Sequence, residues 1–261
     1  MTLRKRLNLP KEHGAWAMLY VPFVLGVLVA GHWPGAVWLL LLCVSALFAS
    51  RESLLTWWRA RRRGREAAAA GQMLLLYAAL AALSGLPLLV WFPWLLPLGL
   101  LGVCLLLFNG AQGAQLEERS LRNELLAIAG LTMTAPAAYA VALGHWEPQA
   151  LLLWLLCACY FASSVFYIKH YVTNAHAKVP DAKATARRQC LGYHAFLLLA
   201  LLVLALSRSL SFFVLIAFAP VLARAFGQLW RPPTQFNLKR AGVLELVYAL
   251  LFLVFVTLGL R

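Results

Sequence analysis

Aspartate is nearly missing from this chain. Of its 261 residues 9 are acidic, and Asp181 is the single aspartate among them. That scarcity argues against any mechanism in which paired aspartate motifs hold a divalent ion through several carboxylates. The five cysteines (Cys43, Cys104, Cys157, Cys159 and Cys190) include no Cys-x-x-Cys pair, so they read as packing residues rather than a zinc or dithiol site. His170 and His176 are not at a usual zinc spacing, and no metal ligands are assigned. No glycine-rich phosphate loop, serine–histidine–aspartate order or nucleotide-binding pattern is visible. Charged residues of all kinds make up only 12% of the chain, about half the share in a soluble domain.

Apolar residues, by contrast, make up 63%. A water-soluble globule and a disordered chain are both excluded. The formal net charge of +14 would suggest nucleic acid in a soluble protein. In so apolar a chain it points instead to cationic loops beside anionic lipid. The lipid bilayer is the expected partner, and nucleic acid is not.

A helix needs about 20 mostly apolar residues to cross the hydrocarbon. Nine such stretches are legible, near 16–31, 34–50, 72–90, 93–109, 123–143, 149–169, 191–207, 210–227 and 242–260. The expected fold is therefore all-α, a polytopic membrane helical bundle forming a single integral domain over 1–261. The first basic-then-apolar segment is taken as a retained helix, because a second span follows at once.

Assigning the N-terminus and every second loop to one side gathers 21 of the 23 lysines and arginines there, with only Arg208 and Arg261 opposite. Positively charged loops stay in the cytoplasm. The expected location is thus a bacterial cytoplasmic (inner) membrane, N-terminus inside and C-terminus outside. Outer connections of two to five residues leave no room for a site, whereas the inner ones appear as loops of 13 to 21.

Five clusters stand at the inner ends of the spans: Lys11 to Trp16; Arg51-Glu52; Arg122-Asn123-Glu124; Lys169-His170-Tyr171 through His176; and Lys239-Arg240 with Glu245. Ionisable groups beside a span commonly face a bundle interior. Each also has a purely structural reading. Lys11, Lys239 and Arg240 can snorkel to lipid phosphates, and Glu124 can offset a helix dipole. If the sixth helix continues, Lys169, Thr173 and His176 form one stripe, with Tyr167, His170 and Asn174 beside it. The acid–base candidates are Glu12, His13, Glu124, His170 and Glu245. The candidates for binding an anionic group are Arg51, Arg122, Lys169, Asn174, Lys239 and Arg240. These are expected to converge on one cytoplasm-facing cavity, since glutamate and histidine are too short to snorkel easily.

The run Leu9-Pro10-Lys11-Glu12-His13-Gly14-Ala15-Trp16-Ala17-Met18 resembles the signature of the YwiC-like family of bacterial membrane proteins. Arg122-Asn123-Glu124-Leu125 with Gly130, and Lys239-Arg240 with Gly242 and Glu245, fit that resemblance over nearly the whole chain. The family carries no established activity. More distantly, nine helices with inner loops resemble the UbiA superfamily of intramembrane prenyltransferases, which bind a diphosphate through magnesium on aspartate-rich motifs. Here the corresponding places read Ser50-Arg51-Glu52-Ser53 and Lys169 to Asn174, without aspartate. Arginine and lysine can hold phosphate oxygens directly, without a metal.

Three functions remain open. The first is a prenyltransferase-like enzyme or lipid-binding relative, with an isoprenoid or acyl tail among the helices and its anionic head on the cations. The second is an accessory or assembly protein of a membrane redox or haem system, using its helices as docking surfaces; separately, His13, His170 and His176 are the histidines that could ligate haem. The third is a transporter, disfavoured by spans that read as unbroken and nearly free of deep charge. No cofactor and no protein partner follow from the residues.

Overall fold

The computed structural model describes residues 13–64, 66–114, 120–177, 179–208, 210–230 and 238–261. Its helices are α1 (His13–Ala30), α2 (Gly35–Arg62), α3 (Ala68–Trp91), α4 (Leu95–Ala114), α5 (Leu121–Thr132), α6 (Thr134–Leu143), α7 (Pro148–His176), α8 (Pro180–Leu206), α9 (Phe212–Trp230) and α10 (Leu238–Leu260). Among the described residues there is no strand. All nine apolar stretches are helical, and seven of the helical spans are long and apolar enough to cross a membrane. The fold is an all-α, polytopic helical membrane protein. In hydrocarbon a helix satisfies every interior backbone group within its own chain, so such a sequence has few alternatives.

Two expectations need correction. The long inner loops are largely helix. α2 runs on to Arg62, α7 to His176, and α8 begins at Pro180, which leaves connections of three to seven residues between the inner helix ends. Hydropathy marks where a helix leaves the membrane, not where it stops. Arg, Ala, Gln and Leu keep good helix propensity in water, and Arg59, Arg61 and Arg62 complement the dipole in α2's last turn.

The fifth span is also not one rod. It breaks at Met133 into α5 and α6. Pro136 has no N–H to offer the Thr132 carbonyl four residues back, which interrupts the ladder there. The Thr132 hydroxyl bonds the Ile128 carbonyl at 2.8 Å, and Thr134 donates across to the Leu19 carbonyl at 2.8 Å. That carbonyl lies in the turn before Pro22 of α1.

The described residues form two compact units, Met1–Trp154 and Leu155–Arg261. In the first, α6 is the inner helix. Ala135, Ala138, Ala140 and Val141 are almost wholly buried, with Phe23 and Val27 of α1, Val37 and Leu40 of α2, and Leu88 of α3 in the core. α1 and α6 approach at backbone distance: a methyl group at Gly26 would collide with the Ala135 carbonyl oxygen and stand 2.9 Å from the Tyr139 nitrogen. Small residues allow this closeness, which is how helices pack where lipid offers no hydrophobic drive. α6 ends at Gly144, whose φ of 83° suits a residue without Cβ.

In the turn that follows, Glu147 accepts from the Tyr139 hydroxyl at 2.8 Å and pairs with His145 at 2.9 Å. The His145 bond first, and the Tyr139 bond second, hold its carboxyl below the usual glutamate range. Trp33 packs on Trp38, and Trp94 on Trp146, at or beside the short turns. Near the C-terminal end of α2, Arg61 and Arg62 lie over Trp57 and Trp58. Both are amphipathic anchors of interfacial type.

In the second unit, α7 and α8 are clasped by Phe166 stacked on Tyr193 at 4.4 Å and by the Tyr193 hydroxyl on the Cys159 carbonyl at 2.6 Å. Tyr160 of α7 stacks on Phe252 of α10, with Phe218 of α9 against its edge. Phe196, Leu199 and Leu206 of α8 and Val243, Leu246 and Val254 of α10 are exposed, a face suited to lipid.

Gly26→Val tests the α1–α6 contact. The helices must separate, and the expected loss is about 1–3 kcal/mol, read as a lower unfolding temperature in detergent. Gly102→Val on α4, where nothing lies within 4 Å, is expected to leave it unchanged.

Candidate functional site

The second unit holds a buried ion pair. Arg224 sits on α9, twelve residues after Phe212 and six before Trp230, or roughly 9 Å inside the nearer helix end at 1.5 Å per residue. Its Nη1 donates to Oε1 of Glu245, seven residues into α10. The Ser164 hydroxyl of α7 donates to the other carboxylate oxygen at 2.6 Å. The side chains are 8% and 20% exposed.

Aromatic rings enclose the guanidinium. Its carbon lies 3.7 Å from the Tyr167 ring centre and 5.3 Å from that of Tyr248. A stacked guanidinium keeps its charge while losing little water, which makes arginine the residue suited to such a place. Along α7, Tyr160, Ser164, Tyr167 and Tyr171 recur at i, i+4, i+7 and i+11, one face of a helix. Tyr160 and Tyr167 both sense the charges of Arg224 and Glu245. Four helices therefore meet here: α7 supplies hydroxyls and rings, α9 the cation, α10 the carboxylate and Tyr248, while α8 packs behind.

On α8, His194 is fully buried. Its Nδ1 bonds the Cys190 carbonyl at 2.7 Å, which fixes the proton on Nδ1, so Nε2 accepts from the Ser163 hydroxyl at 2.9 Å. Both ring nitrogens are satisfied inside the span. This serine–histidine pair ties α7 to α8.

The residues anticipated from sequence fall into both units. Glu12 lies outside the described residues, and His13 opens α1. Arg51 is partly buried within α2, 3.6 Å from Glu52. Arg122 is exposed, and Glu124 stands half-buried in the first turn of α5, behind the Ser120 cap. Lys239 and Arg240 lie in the first turn of α10, Arg240 being exposed.

The sixth span does continue as helix beyond Lys169, to His176. It buries Tyr167, His170 and Tyr171 and leaves Lys169 and Asn174 half-buried. His170 Nδ1 is buried without a hydrogen-bond partner among the described residues. Glu245 does face the interior, and its partners are Ser164 and Arg224.

Arg224 had been counted among the topogenic charges, although it lies within the span read at 210–227. The signal was there. An arginine amid Val-Leu-Ala and Ala-Phe, deep in an apolar run, is a functional candidate by default.

The family model for YwiC-like protein matches residues 9–139. The chain belongs to the YwiC-like family. No curated protein and no solved structure matches it. The matched segment covers the Leu9–Met18 signature, Arg51, Glu124 and most of α6, and it ends before the second unit begins. Within it, the signature tryptophan has a packing role: Trp16 sets its ring edge-on to Phe48 of α2 at 4.7 Å, while Tyr20, one turn on, meets Ser45 at 3.1 Å. The Arg224–Glu245 centre lies beyond the family segment.

Removing one member of a buried ion pair costs about 3–5 kcal/mol because the other charge is left uncompensated. Arg224→Met and Glu245→Leu are each expected to destabilise the chain by that order in detergent unfolding. The double variant should recover most of the loss. Strictly additive losses would show that the two charges are not coupled.

Proposed function

We propose that this YwiC-like protein binds a lipid or isoprenoid with an anionic head group at a site facing the cytoplasm. The observation that carries the reading is the α7 extension, which holds Lys169, His170 and Asn174 on rigid helix at the inner end of a membrane span. A head group there would meet Lys169, Asn174, Lys239 and Arg240 from the second unit, with Arg51 and Arg122 serving the first. Glu12, His13, Glu124, His170 and Glu245 are the groups able to move a proton if transfer chemistry follows. Direct cationic contact makes a metal unnecessary for holding the head.

A second reading, transport, gains support from the break at Met133 and from the ion pair inside the spans. Flux into proteoliposomes separates it from lipid binding. The role in haem or redox assembly gains nothing comparable.

Native mass spectrometry of the chain purified in mild detergent tests the main reading. A stoichiometric acidic phospholipid or isoprenoid phosphate is expected, reduced in Lys169→Ala and His170→Ala without loss of membrane insertion. A haem adduct, or neutral lipid alone, would overturn it. The orientation belongs to the same proposal, with the N-terminus inside a bacterial cytoplasmic membrane. A single-cysteine probe at Arg63 should be labelled only from the cytoplasmic side.

A further inference from the structure

Arg224 is paired by one corner only. Nη1 meets Glu245, while Nε and Nη2, which together form the side edge of the guanidinium, are buried and have no hydrogen-bond partner among the described residues. That edge is the fork whose two parallel N–H groups match the two oxygens of a carboxylate or phosphate. Stacking on Tyr167 covers the guanidinium's face and leaves its in-plane edge without a stacked ring.

Two more buried groups stand beside it in the same condition. Gln228 is one turn further along α9 on the same face, 7% exposed, with neither amide atom partnered among the described residues. The Tyr160 hydroxyl is likewise unpartnered there, and its ring is almost wholly buried. Unpartnered buried polar atoms are costly and rare, and three side chains that carry them around one ion pair call for a ligand.

We propose that the Arg224 edge, with Gln228 on the cytoplasmic side of it and Tyr160 on the deeper side, is a receptor for an oxyanion that presents two oxygens, a carboxylate or a phosphate. This deepens the head-group reading and rests on it: the head group is received by one buried guanidinium rather than only at the surface cations.

The test uses the full chain in nanodiscs. One arm adds inorganic phosphate to phosphatidylcholine discs, and the other replaces part of the lipid with phosphatidic acid. Binding is read as a rise in unfolding temperature and by native mass spectrometry. Arg224→Lys is the decisive variant, because lysine keeps the charge opposite Glu245 and lacks the fork. Its expected effect is a loss of affinity of about tenfold or more, with the fold retained. Tyr160→Phe and Gln228→Leu should weaken binding less. Glu245→Gln, which removes the negative charge beside the fork, should tighten it.

A response to phosphate identifies a soluble oxyanion as the source, and a response to phosphatidic acid alone identifies a lipid head. Equal binding by wild type and Arg224→Lys overturns the receptor while leaving the head-group reading intact. Binding in neither arm, together with no acidic lipid co-purified, overturns both.

Discussion

Hydrocarbon offers no partner to a polar group, and nearly every feature of this chain follows from that constraint. It makes each apolar stretch a helix, because only a helix closes its backbone hydrogen bonds within itself. Pro136 opens the ladder beside Met133, and the hydroxyls of Thr132 and Thr134 bond the nearby carbonyls of Ile128 and Leu19. The ion pair obeys the same rule: Arg224 and Glu245 are tolerable inside the spans because each neutralises the other, with Ser164 on the second carboxylate oxygen.

The constraint explains what is left over as well. The two units use polarity differently. In Met1–Trp154 the buried hydroxyls mostly return to carbonyls of their own or the adjoining helix, as Ser50, Ser84 and Thr132 do. In Leu155–Arg261 several buried polar groups instead meet at one guanidinium, and some of its own capacity is unused. A purely structural salt bridge would close more compactly, with both carboxylate oxygens on the fork. Here the serine takes one of those oxygens, and the fork is kept free.

Much of this was legible in sequence, and the physics says which parts. Hydropathy reports the membrane directly, so all nine apolar stretches and the all-α class could be read from composition and spacing. The signature near Trp16 was likewise visible, and so was the helical stripe through Lys169 and His170. Helix ends were misjudged, because Arg59, Arg61 and Arg62 change the solvent around α2 without changing its preference for a helix. The break at Met133 escaped because alanine and threonine flank Pro136 without a fall in hydropathy. Arg224 was misassigned because charge was counted by sign and side rather than by depth. Which helices adjoin is a matter of tertiary packing, and no periodicity along α9 announces that Glu245 and Tyr167 stand opposite it.

The burial of α6 has a consequence for assembly. Its circumference is lined by protein, and half of its residues are alanine, so it has little of its own with which to hold a place in lipid. Burial on all sides limits this segment by volume more than by greasiness: a seryl hydroxyl could be accommodated where a leucyl side chain could not. A helix of that kind enters the membrane as a guest of its neighbours. α1 and α2 leave the ribosome first, and α2 is long and apolar enough to cross the membrane. They supply the wall with Gly26 in it, and the late, slender helix is then fitted against that wall.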